Sequence, residues 1–280
     1  MTKKTKNALT VVLVLAMIMG MIAFAANTVK GITGTGSASA SVPDVNVITP
    51  SFSLKGKTVS FLGDSITTYA GWSDNPKDNS TLGNNDTKYN SSIMNVNSTW
   101  WKQTINELQL SLCVNNSCDA SRVTDTNQDC PNGMDRAMQL HRDNGTQPDV
   151  IVVYLGTNDL GNDIPLNNDT DENIDRFIPA YSIMLENIKA TYPNADVFVC
   201  TLLPEGRNNE EELLEYNEAI REIANNKGVT VIDLYADSGI TRANYLQYVL
   251  DEGNFTVHPN EAGMDLITDT VVKALTEYYR

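Results

Sequence analysis

Histidine is almost missing from this chain. Its 280 residues carry only His141 and His258, beside four cysteines, Cys113, Cys118, Cys130 and Cys200. These spacings fit no zinc-site template, and neither a P-loop nor a dinucleotide fingerprint occurs, so no metal or organic cofactor is expected. Cations are scarce as well, with 20 Lys and Arg against 35 Asp and Glu, a formal charge of −15. Such a chain repels phosphate backbones and anionic membrane surfaces at low salt, which excludes nucleic acid as a partner; most of the charge serves solubility. Internal repeats are lacking, and the composition is neither collagen-like nor that of a coiled coil or a wholly disordered chain.

The one long apolar run lies at the N-terminus. Lys3, Lys4 and Lys6 precede a charge-free stretch from Ala8 to Ala26, and Ala23-Phe24-Ala25 ends it in a small-x-small pattern. That is the layout of a secretory signal peptide over residues 1–25, although the run is also long enough to act as an uncleaved membrane anchor. Both readings place the protein outside the cell or on its surface, with any membrane attachment confined to this segment. Cleavage would remove three lysines and leave 17 cations against 35 acids, a charge of −18. Residues 26–50, rich in Ser, Gly, Ala and Thr without an apolar period, read as a flexible spacer, so the folded domain is expected over 51–280.

Within that domain, short β-branched runs at 57–62, 110–114, 149–155, 196–202 and 229–233 alternate with helical patterns at 99–108, 134–142, 174–192, 210–226 and 261–279. Alternation of this kind, with near-continuous apolar strands, predicts an α/β fold: a three-layer α/β/α sandwich around a five-stranded parallel sheet. In such sheets the ligand site lies at the carboxyl ends of the strands. An export context also permits a disulfide, and Cys118–Cys130 is the candidate because both flank a polar stretch, whereas Cys113 and Cys200 sit in apolar runs suited to buried thiols. Asp169-x-Asp171-x-Asn173 looks like the start of a calcium loop, but Ile174 and Ala180 stand where the glycine and the final acid are needed, which excludes an EF-hand.

The polar residues at the strand ends suit acyl transfer. Gly63-Asp64-Ser65 follows the first strand and offers either a hydroxyl nucleophile on a sharp turn or an ordinary helix cap. Gly156-Thr157-Asn158-Asp159 follows the third and is either turn chemistry or a side-chain amide aimed at an oxyanion. His258, in Val257-His258-Pro259-Asn260, comes just before the last helix, which Pro259 can start. His141 reads as a solvated surface residue.

These three motifs, in this order and context, resemble the SGNH hydrolase family and its secreted bacterial GDSL-type esterases, from residue 57 to the C-terminus. The Gly-x-Ser-x-Gly elbow of α/β-hydrolases is absent. The resemblance implies a flavodoxin-like fold with Ser65 as nucleophile, His258 as base, and oxyanion donors from the Ser65 amide, the Asn158 side chain and a third backbone N–H. Ala120 stands where the family has a glycine for that third donor, and alanine resists positive φ. The family's triad acid lies three residues before the histidine, a position held here by Phe255. Asp251 is expected to fold back as the orienting acid, with Glu252 or Asn254 as substitutes, or else a Ser–His dyad remains.

The loop 69–98 is expected over the strand ends. Asp64, Tyr69 and Trp72 are the expected substrate contacts, with Tyr69, Trp72 and Tyr89 able to stack on sugar rings, whereas Trp100 and Trp101 read as packing. The leading expectation is an esterase removing short acyl groups, O-acetyl above all, from carbohydrate. The alternatives are a lysophospholipase-type lipid esterase or a catalytically weakened carbohydrate-binding protein of the same fold.

Overall fold

The computed structural model describes residues 54–77, 93, 95–126, 130–167, 173–250 and 256–280, all within the unit Ser51–Arg280. Five strands form one parallel sheet: β1 (Thr58–Gly63), β2 (Ser111–Asn115), β3 (Val150–Tyr154), β4 (Asp196–Cys200) and β5 (Thr230–Ile232), in the order β2-β1-β3-β4-β5. The central strand β3, Val-Ile-Val-Val-Tyr, is buried at every position. An all-apolar strand of this kind can only be a strand covered on both faces.

The covering helices are α1 (Trp100–Leu108), α2 (Gly133–Arg136), α3 (Thr157–Leu160), α4 (Phe177–Thr191), α5 (Glu210–Lys227), α6 (Leu234–Asp237) and α7 (Glu261–Tyr278). On one face α1 packs on α7, where Gln103 Nε2 donates to Asp265 Oδ1 at 2.9 Å. On the other, α4 packs on α2 and α5. Local chemistry sets the helix ends. Asn209 and Glu212 form a reciprocal capping box on α5, which Gly228 closes in the left-handed conformation, and Asn260 Oδ1 accepts from Gly263 N at the start of α7. Trp100 and Trp101 are fully buried, with Trp100 edge-on to Phe61 at 5.3 Å; they pack the core, as expected.

The helix expected at 134–142 ends after one turn, at Arg136. Tertiary partners take its backbone groups instead: Asn116 Nδ2 donates to Arg136 O and Gln139 O, Leu140 N donates to the Tyr192 hydroxyl, and Ser60 Oγ donates to Leu140 O. His141 therefore lies in a bend rather than a helix, exposed and paired with Tyr192. The helix expected from 174 begins at Phe177.

Cys118 and Cys130 form a disulfide with Cα atoms 6.4 Å apart. Cys113 and Cys200 are buried thiols, and burial pushes the Cys200 thiol well above its usual range.

Candidate active site

In the order β2-β1-β3-β4-β5 the direction of winding reverses between β1 and β3, and a crevice opens there at the carboxyl ends. Gly63 of β1 is in register with Tyr154 of β3, so Ser65 and Asn158 leave the sheet on the two sides of that crevice. Ser65 sits in a turn rather than at a helix start: Thr67 N donates to Asp64 O at 3.0 Å and Ile66 N to Asp64 Oδ1 at 3.0 Å. Trp100 Nε1 holds the far side of the turn through Ile66 O at 3.2 Å. Across the crevice Gly156, at φ 128, turns the chain directly from β3 into α3, a conformation that side chains rarely adopt, and so carries Asn158 at the strand end.

A third segment lies between these two. Cys118 N donates to Gly63 O at 3.2 Å and Ser121 N to Cys118 O at 3.2 Å, while Asn158 Nδ2 donates to Ser121 O at 3.1 Å. The loop carrying Ala120 is thus tied to the nucleophile turn on one side and to Asn158 on the other. Ala120 adopts φ 56, so the left-handed geometry for which the family uses glycine is present despite the Cβ. Fully buried Arg136 braces the arrangement, donating to Gly63 O at 3.0 Å, Asn116 O at 2.6 Å and Ser121 Oγ at 2.7 Å. Asp159, also buried, accepts from Val123 N, Thr124 N and Thr124 Oγ1 and so fixes the far end of the same loop.

His258 is delivered by backbone pairing. Leu250 N donates to His258 O at 2.8 Å, Asn260 N to Tyr248 O at 2.9 Å and Gly206 N to Thr256 O at 3.0 Å. Its neighbours Val257 and Pro259 line one narrow pocket together with Ile66 and Thr157, the neighbours of Ser65 and Asn158. The Asp64 carboxyl feels the imidazole of His258 and the guanidinium groups of Arg207 and Arg136, although burial outweighs them and raises its pKa to about 6.

Of the expected substrate contacts, Asp64 is 1 % exposed and Tyr69 7 %, a burial like that of Ser65, Asn158 and His258, and Tyr69 packs in the core. Trp72, 43 % exposed, remains on the surface, with its ring 6.3 Å from that of Trp101 and the Lys102 ammonium 5.4 Å from its centroid. Asp251, Glu252, Asn254, Phe255 and Tyr89 lie outside the described residues, as do Asp169 and Asp171. Arg136 and Arg207 were not foreseen. The signal for Arg207 was its place just beyond β4, at a strand end that also carries Glu205.

A family of GDSL-like lipases and acylhydrolases matches residues 57–275, most of the chain. The chain belongs to this family. It is accordingly a carboxylic ester hydrolase. No curated protein matches it. Among solved structures it is similar to a Bacteroides uniformis protein assigned to the GDSL-like lipases, at 26% identity and a TM-score of 0.61, over 79% of this chain and 96% of that one. A Bacteroides ovatus protein of the same assignment is 23% identical at a TM-score of 0.60, over 80% and 99% of the two chains. A family two carbohydrate esterase from Clostridium thermocellum, in complex with cellohexaose, shares the fold at 18% identity and a TM-score of 0.53, over 79% of this GDSL-like hydrolase and 64% of that chain.

Proposed function

We propose that this GDSL-like hydrolase is an exported serine esterase that removes short acyl groups, acetyl above all, from carbohydrate. The observation that supports the mechanism is that Ile66, Thr157 and the pair Val257 and Pro259, the chain neighbours of Ser65, Asn158 and His258, line one pocket at the switch point of the sheet. Ser65 Oγ attacks the ester carbonyl carbon while His258 takes its proton. The oxyanion is held by the amides of Ser65 and Ala120 and by Asn158 Nδ2. Collapse of the tetrahedral species breaks the bond to the sugar oxygen, which takes the proton from His258 and leaves as the sugar hydroxyl. Water, deprotonated by the same imidazole, then hydrolyses the acyl-Ser65. Asp251 is the acid assigned to orient His258.

Two observations support the substrate class. The pocket beside the site is narrow, and its lining includes Ile66, Leu203, Ile240, Val249 and Val257, which leaves no room for a long acyl chain. Exposed Trp72 lies seven residues from Ser65 and offers an indole to a sugar ring; the carbohydrate esterase of the same fold binds cellohexaose. Export rests on the N-terminal charge and apolar pattern.

A serine-directed fluorophosphonate is expected to label the wild type and not Ser65→Ala. Acetylated xylan, acetylated peptidoglycan fragments and a lysophospholipid, assayed side by side, test the substrate: turnover of the lipid alone would refute the carbohydrate reading and leave the mechanism standing.

A further inference from the structure

The Asn158 carboxamide can present either end to the crevice, since its oxygen and nitrogen ends have nearly the same shape, and its hydrogen-bond partners decide which one. Here Nδ2 donates to Ser121 O at 3.1 Å, and Oδ1 accepts from Arg207 Nη1 at 3.2 Å. Rotating the group by half a turn would set its NH2 against the guanidinium and its oxygen against the Ser121 carbonyl, two contacts with no hydrogen bond in either. The second Nδ2 proton is what remains for an oxyanion.

Arg207 is itself fixed. Its Nη2 donates to Thr157 O at 3.4 Å, and Glu205, 2 % exposed, accepts from Arg207 N at 2.8 Å and Nε at 3.1 Å. The other carboxylate oxygen of Glu205 accepts from Asn208 Nδ2 at 2.6 Å. Arg242 Nη1 anchors the same loop through Glu205 O at 2.7 Å, and Gly206 N ties it to Thr256, two residues before His258. The guanidinium lies directly against Gly161, where an added Cβ would come within 2.5 Å of Arg207 Cζ.

We infer that Arg207, held by Glu205 in the loop after β4, is a positioning residue of the oxyanion hole, fixing the Asn158 amide with its N–H toward the reacting carbonyl. This rests on the assignment of Asn158 as an oxyanion donor. Among the proposed oxyanion donors its hydrogen bond is to Asn158, so its loss should change turnover more than substrate binding.

The test uses p-nitrophenyl acetate with the full-length protein and its variants Arg207→Met, Arg207→Lys, Gly161→Ala, Asn158→Ala and Arg207→Met/Asn158→Ala, with kcat taken per folded molecule. Asn158→Ala is expected to lose about 100-fold in kcat or more, as removal of a single side-chain donor does elsewhere. Arg207→Met should lose about 10-fold or more with KM within about twofold, Arg207→Lys should recover part of that loss, and the double variant should be no slower than Asn158→Ala, since coupled groups are non-additive. Gly161→Ala keeps the guanidinium but displaces it, and should lower kcat in the wild type while doing nothing further in Arg207→Met. It also decides the matter if Arg207→Met does not fold. Unchanged kcat in Arg207→Met and Gly161→Ala beside an impaired Asn158→Ala overturns the positioning role and leaves the proposed mechanism intact, as does a full multiplicative loss in the double variant. An unimpaired Asn158→Ala overturns the oxyanion assignment itself.

Discussion

Asp64 precedes Ser65 and is as buried as a core valine. One carboxylate oxygen accepts from Ile66 N, while the other is buried with no hydrogen bond among the described residues. Burial lifts its pKa from 3.8 to about 6 against the pull of the nearby Arg207 and Arg136 guanidinium groups. As pH rises from about 4 to 6 the unfolded chain gives up this proton before the folded one does, so stability is lost across that window and the full penalty persists above it. Asp64→Asn removes the titration; its stability relative to wild type should grow by about 2 kcal/mol between pH 4 and pH 7, read from urea midpoints at the two values. A constant difference would show that the carboxyl is not held in its neutral form. Asp159, also raised to about 6 by burial, is common to both proteins and cancels. Ala120 offers a second measurement. A left-handed alanine costs about 1 kcal/mol, part of which glycine returns as lost chain entropy. Ala120→Gly should therefore gain about 0.5 kcal/mol with hydrolysis undiminished; a slower enzyme would mean that the Cβ itself contacts substrate. At this scale Ser65, Asn158 and His258 were legible, because each stands in a short motif at an element boundary. Arg136 and Arg207 were not, since their partners are backbone carbonyls and side chains brought near only by folding.

The elements differ in how much of their own ending they carry. The capping box of α5 and the asparagine cap of α7 are local, and both helices start where their residues say they should. α2 is cut short because Asn116 and Ser60, distant in sequence, use its carbonyls and Tyr192 the Leu140 amide. The start of α7 also positions His258, and Gly263 makes this possible: a Cβ there would lie 2.2 Å from Tyr248 O, the carbonyl that pairs with Asn260 N across the histidine segment. Because the obstacle is backbone, it cannot turn aside. Gly263→Ala is expected to cost about 2 kcal/mol by overpacking and to lower kcat in the fraction that remains folded. Wild-type turnover in that fraction would show that the Tyr248–Leu250 pairing does not position the imidazole.

Over the whole molecule, two covalent and topological facts bring the site together. The sheet order sets β1 beside β3 and opens the crevice between them. The Cys118–Cys130 disulfide closes the loop that supplies Ala120 and Ser121, with a sequence separation of 12. A loop of this size is worth about 3 kcal/mol by chain entropy, so C118A/C130A should melt about 6–12 °C lower. Calorimetry of the two proteins checks this, and an unchanged melting temperature would mean that the loop is held by Arg136 and Asp159 alone.

Residue order by itself determined the parallel α/β class, the five strands and the three motifs, because hydrophobic period, caps and turn residues act over a few positions of chain. The tertiary structure alone decided that Asp64 and Tyr69 are buried, that Ala120 is left-handed, and that Arg136 and Arg207 brace the site. Each of those depends on which distant backbone groups must find partners once the strands are side by side, and that is settled only when the sheet has formed.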